Sequence, residues 1–177
     1  MRERAFLIVL LILMANLLPQ EALIYPLFYS ARDLGLYDTQ LAVIIIFKAN
    51  HTAFGTYLLA SVLGTFPREL LEAAAIDGAS SWQMLWRIVV PITRPTLFVL
   101  FTLFFIWTWN EFFIPLVMLI DDSTQTVPLA IVSLVGQHMS DPTMMNAGAL
   151  LSLIPNILFF LFFQRTLTRG VTSGAVK

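Results

Sequence analysis

Few polar side chains interrupt the long apolar stretches of this chain, and those that do carry its chemical information. Lys48, His51 and Thr52 fall at i, i+3 and i+4 inside one such stretch, which puts them on neighbouring positions of a helix. Asn110 and Glu111 fall inside another. Donors and acceptors of this kind can line a path for a polyhydroxylated solute, or they can hydrogen-bond one helix to the next. The second account is the plainer one and is preferred. A different group, Glu69, Glu72, Ala73, Ala74, Asp77 and Gly78, lies in a polar segment between two apolar runs. It combines acids, small residues and a glycine, which suits a surface knob better than a catalytic centre.

Bond-making chemistry finds little support. There is no cysteine, and the two histidines, His51 and His138, are too far apart in sequence to form a metal-ligand pattern. No nucleophile–base set is visible, so no catalytic residue, metal or cofactor is expected. The chain has no Gly-x4-Gly-Lys-Ser/Thr phosphate loop, so it is not expected to bind ATP itself.

The elements that must position these residues follow from hydropathy. Of the 177 residues 58% are hydrophobic and 12% charged, against roughly 25% charged in ordinary soluble domains. So much apolar surface calls for lipid as solvent. Four runs are long enough to cross a hydrocarbon core of about 30 Å as helices: residues 5–28, 39–63, 95–119 and 144–163. The expected fold is therefore an all-α integral membrane protein with four transmembrane helices and a single membrane domain over 1–177. Continuous apolar runs exclude a β-barrel, which needs short alternating segments. The start, Arg2-Glu3-Arg4 followed by an apolar run, imitates a secretory signal, but the apolar character continues through Leu27-Phe28, so a first span is the preferred reading.

Basic residues set the orientation. Arg2 and Arg4, then Arg68, Arg87 and Arg94, then Arg165, Arg169 and Lys177 flank the spans on one side, and only Arg32 lies in the connections on the other. The positive-inside rule then places both termini and the segment 64–94 in the cytoplasm of a multi-pass membrane protein.

That cytoplasmic segment has its own local order. Pro67 suits the first turn of a short helix over 68–76. Asp77-Gly78 ends it, and Ser80-Ser81-Trp82-Gln83 has the form of a capping box that starts a second helix. Trp82, Leu85, Trp86 and Val89 give that helix one apolar face. Pro91 and Pro95 are expected to separate it from the third span. The hairpin tip, 72–80, holds only small residues, one Ile and two acids. It can enter a groove on another protein, or it can be an interfacial hairpin that merely joins two spans.

Glu72-Ala73-Ala74, Gly78 and Ile88-Val89-Val90-Pro91 resemble the EAA-x3-G-x9-I-x-L-P signature of importer permeases of the ABC superfamily, with Val90 in place of the usual Leu. Pro67-Arg68-Glu69-Leu70, Ile76-Asp77-Gly78-Ala79-Ser80, Trp109-Asn110-Glu111-Phe112, Thr126-Val127-Pro128 and Ile154-Pro155 are similar to the carbohydrate-uptake branch, the maltose- and glycerol-phosphate-type permeases. The resemblance implies that the hairpin is a helix–Gly–helix coupling loop. Glu69, Glu72, Ala73, Ala74, Asp77 and Gly78 would then dock on ATP-binding subunits, two per importer. It implies a second permease subunit and an extracytoplasmic solute-binding protein as further partners, and a sugar or sugar-like solute as cargo. Lys48, His51, Asn110 and Glu111 are the candidates for the solute path. Family members usually have about six spans, so the chain corresponds to the C-terminal part of the fold. Two other expectations compete: a remnant that only assembles with or regulates a complex, and an importer permease for a non-sugar solute.

Overall fold

A computed structural model of the chain describes residue 14 and residues 19–137 and 142–175, with side chains described for 19–133 and 142–164 as well as Met14. The described residues form seven helices: α1 (Gln20–Asp33), α2 (Gln40–Gly64), α3 (Arg68–Ile76), α4 (Ser81–Asn110), α5 (Phe113–Met118), α6 (Val127–Gln137) and α7 (Pro142–Ala175). No strand occurs among them.

Among the described residues three helical segments are long and apolar enough to cross a membrane: Gln40–Gly64, Ser81–Asn110 and Pro142–Gln164. They agree with the expected second to fourth spans, with changed limits. The first expected span, 5–28, lies mostly outside the described residues. Its described part does not continue one long helix: Pro19 is extended (ψ 140°), and α1 starts after it and runs past the expected end to Asp33.

The third expected span, 95–119, is corrected at both ends. At its start, Pro91 and Pro95 do not break the chain, because α4 runs unbroken from Ser81. A proline lacks the amide hydrogen and crowds the carbonyl four residues back. Here the helix widens into a π turn over Leu85–Val89, just ahead of Pro91. The Thr93 hydroxyl then donates to the Val89 carbonyl at 2.8 Å. Such local widening lets membrane helices tolerate proline. At the other end the helix stops at Asn110. Pro115 would crowd the carbonyl of Glu111, and there the backbone turns extended (ψ 128°). The Glu111 carboxylate accepts the N–H groups of Phe113 (3.1 Å) and Ile114 (3.3 Å), so it caps the short α5 that follows.

α4 packs along α7 and α2, α6 lies on α7, and α5 is seated between α1 and α2. The tightest packing sits where α1, α2, α5 and α6 meet. Ile24, Val43, Ile46, Phe47, Ile114, Met118 and Leu129 form one buried cluster there, with Met118 fully buried. Along the spans, by contrast, many large apolar side chains stay exposed, among them Leu150, Leu151, Ile157 and Phe162 on α7. Exposed apolar surface on this scale requires lipid or a partner chain.

Candidate functional site: an exposed hairpin and a polar cleft

The hairpin of α3 and the first turns of α4 is built by local bonds. At the end of α3 the Ala79 N–H donates to the Ala74 carbonyl at 2.9 Å and the Gly78 N–H to the Ala75 carbonyl at 3.1 Å. This pair is a Schellman closure, and Gly78 takes the left-handed conformation it requires (φ +76°). Two residues on, Ser80 accepts the Gln83 N–H at 3.3 Å, and the Ser80 N–H donates to the Gln83 side chain at 2.8 Å. The expected stop, turn and capping box are all present, and α3 has the expected limits.

The closure decides which side chains the hairpin presents. Glu69, Glu72, Ala73 and Ile76 follow one another at i, i+3, i+4 and i+7 and are all exposed, as are Asp77 and Gly78. Ala74 is buried, whereas Ala73 and Ala75 on either side of it are exposed. Ile76 is the residue that reasoning from the sequence left without a role. It is 86% exposed, at the apex, between Glu72 and Asp77. An apolar side chain standing clear of every neighbour is a contact-surface signal, and no sequence pattern could separate it from a helix-end core residue.

The polar residues of the spans divide into two groups. A cleft of about 460 Å³ between α2 and α4 is lined by Asn50, His51, Trp107, Thr108, Asn110 and Glu111, with Gln20 and Phe54 at its walls. His51 is held within it from several sides. Its Nε2 lies 2.9 Å from the Thr108 hydroxyl, and its ring stacks on Phe104 with centroids 4.7 Å apart. Asn110 donates to the Ile106 carbonyl at 2.7 Å and accepts from the Asn156 amide at 3.3 Å. Beside it the Trp109 indole donates to the Ser152 carbonyl of α7 at 3.1 Å. His51, Asn110 and Glu111 thus line one cleft. Asn50 and Thr108, which sequence reasoning passed over, line it with them, and Asn156 of α7 reaches Asn110 by its amide. Lys48 does not line it: it is exposed and lies outside the cleft, because the wall turns through Phe47, Asn50, His51 and Phe54, one position aside. Among the described residues no cluster of three potential metal ligands occurs.

Residues 4–172 match the binding-protein-dependent transport system inner membrane component family. The chain belongs to this family of permeases. Among its relatives, the lactose transport system permease protein LacG of Rhizobium radiobacter is 33% identical over the whole of this permease chain and 63% of its own length. The trehalose transport system permease protein SugB of Mycobacterium tuberculosis is 34% identical over 93% of the chain and 61% of its own length. The permease thus spans about three fifths of these relatives. Its fold is similar to a crystal structure of a bacterial ABC transporter involved in the import of the acidic polysaccharide alginate. That match has a TM-score of 0.66 and 27% identity, and covers 80% of this chain and 55% of the other. As a member of the family the permease is an inner membrane component, which agrees with its apolar helices.

Proposed function

We propose that this chain is a transmembrane subunit of an ATP-driven, binding-protein-dependent importer for a sugar or sugar-like solute. One observation carries the coupling part of the reading: the ridge Glu69–Glu72–Ala73–Ile76 stands free at the end of a rigidly closed hairpin. In this reading the ridge, with Asp77 and the Gly78 turn, enters a cleft on a cytoplasmic ATP-binding subunit. Ile76 fills an apolar pocket there, and the two glutamates meet basic groups around it. The hairpin continues without a break into α4, so a push on the tip reaches the membrane as movement of one helix. When two ATP-binding subunits close, the docked hairpins move together and the path changes the side to which it opens.

The solute path runs beside His51, Asn110 and Glu111, where aromatic faces and amide groups converge as a polyol requires. A solute-binding protein delivers the cargo from outside, and a second permease subunit completes the path. Both termini and the hairpin lie in the cytoplasm, and a span within 5–28 completes a four-helix domain, in keeping with the placement of Arg and Lys. The names of the lactose and trehalose permeases support the choice of cargo.

The test is co-purification of the ATP-binding subunit with Ile76→Asp and Glu72→Lys protein, together with solute-stimulated ATPase activity in proteoliposomes over a panel of sugars, amino acids and phosphate. The reading expects both variants to lose the ATP-binding subunit and only sugars to stimulate the intact complex. Undiminished binding by both variants, or stimulation by amino acids alone, would overturn it.

A further inference from the structure

One residue holds the break between α4 and α5 from both sides. The Glu111 N–H donates to the Thr108 carbonyl at 3.4 Å and closes the last turn of α4. Its carboxylate turns the other way, and a single oxygen accepts the N–H groups of Phe113 at 3.1 Å and Ile114 at 3.3 Å. A helix leaves its first N–H groups without a partner inside the helix. In α5, Pro115 has no N–H to offer, and the Leu116 N–H reaches the Phe112 carbonyl at 3.0 Å. Phe113 and Ile114 are left to Glu111.

Ile114 is 1% exposed and sits in the core cluster beside Met118. Its amide therefore has no water to turn to if the carboxylate swings away. An N–H left unbonded in such surroundings costs more than an ordinary hydrogen bond gains. The carboxylate is committed to the backbone. The cleft takes its shape from the residues just ahead of the break. Thr108 and Asn110 line it. Thr108 holds His51 through its hydroxyl, and Asn110 is tied to the Ile106 carbonyl and to the Asn156 amide of α7. Glu111 joins these polar groups to the core-seated α5.

We propose that Glu111 is a positioning residue for solute recognition: its carboxylate holds the bend that sets Thr108, His51 and Asn110 in the cleft, and does not itself bond the solute. The inference rests on the reading of the cleft as the solute path. It separates the residues of that path that meet solute from the one that acts through them.

Two variants test it in the complete importer complex, with its solute-binding protein, in lipid nanodiscs. Glu111→Gln keeps an acceptor oxygen of the same reach, and Glu111→Met keeps the length without an acceptor. Deuterium exchange over residues 112–118 reports the cap. Solute recognition is read as the concentration for half-maximal ATPase stimulation, using whichever of lactose, trehalose, maltose and sucrose stimulates the unaltered complex most. Glu111→Gln is expected to stay within about threefold of the unaltered chain in both readouts. Glu111→Met is expected to speed exchange over 112–118 by about tenfold and to raise the half-maximal concentration by a similar factor. A raised concentration in Glu111→Met with exchange unchanged makes Glu111 a direct solute contact, as does lost stimulation in Glu111→Gln with exchange still slow. Faster exchange with an unchanged concentration makes the cap structural only. Each of these overturns the proposal and leaves the solute path standing. If Glu111→Met protein does not assemble, the result with Glu111→Gln decides. If none of the four sugars stimulates the unaltered complex, the reading of the cleft as a sugar path fails and takes this inference with it.

Discussion

The carboxylate of Asp38 accepts the backbone N–H of Ile120 at 2.8 Å, joining residues 82 apart in sequence. The same oxygen takes the Asp121 N–H at 3.1 Å and the Thr124 hydroxyl at 3.2 Å, while the Asp38 N–H donates to the Met118 carbonyl at 3.1 Å. One side chain therefore ties the turn before α2 to the loop after α5, at the end of the bundle where the core is tightest.

This clamp gives a pH dependence with a definite sign. The N–H groups of Asp121 and Ile120 favour the charged carboxylate and lower the Asp38 pKa below its ordinary 3.8. A lowered folded-state value means that its stabilisation is fully present above about pH 4 and is lost as the pH falls through the lowered value. In detergent, Asp38→Ala protein should melt below the wild type at pH 7, and the difference in Tm should vanish in strong acid. A difference that stays constant from pH 7 to pH 2 would show that the carboxylate charge is not what holds the loops.

Gly78 tests the hairpin turn. At φ +76° a side chain meets no neighbour within 4 Å, so the cost of substitution is conformational alone. For an L-residue this is roughly 1–2 kcal/mol, and it is largest for a β-branched one. Gly78→Val should weaken recovery of the ATP-binding subunit by about tenfold, while Gly78→Asn stays close to wild type. Equal recovery of the two variants would remove the turn from the coupling argument.

His51 and Thr108 separate a structural from a solute-binding role in the cleft. Thr108→Val removes the hydroxyl partner and should lower stability by about 0.6 kcal/mol, the usual scale for an interhelical bond in a membrane. His51→Phe keeps the stack on Phe104 but has no ring nitrogen. If His51 touches solute, this variant raises the solute concentration for half-maximal ATPase stimulation and leaves assembly intact. An unchanged concentration confines His51 to packing.

Thr93 tests what a side-chain bond contributes at the end of the π turn in α4. It is buried, and its hydroxyl serves the Val89 carbonyl beside the π turn. Thr93→Val removes this additional side-chain bond and should cost about 0.5–1.5 kcal/mol, whereas Thr93→Ser should be nearly neutral. Thermal unfolding of the two variants in detergent checks this, and protease sensitivity between α3 and α4 should rise only in the valine variant.

The hairpin and the apolar runs were legible from the sequence alone because their causes are local. Every bond of the Gly78 closure and the Ser80 capping box joins residues no more than five apart, so a short stretch of sequence determines them. Hydropathy over twenty residues likewise suffices to mark helices that need lipid or a partner. Membership of the permease family followed from the same local signature.

What only the tertiary structure decided is where those helices bend and which way their side chains face. Pro91 and Pro115 are the same residue type near the two ends of one expected span, yet the first is carried through and the second coincides with a break. The difference lies in their surroundings. Near Pro91 a π turn widens the helix, whereas beyond Asn110 the chain turns and seats Ile114 and Met118 in the core between α1 and α2. Lys48 and His51, three residues apart, were expected on one face, but Phe104 and Trp107 of α4 pack on His51, while Lys48 is exposed among the described residues. A helical period relates residues within one helix. Which arc of that helix is covered depends on contacts with segments as far as 57 residues away, such as the His51–Thr108 bond, and these exist only once the chain has folded.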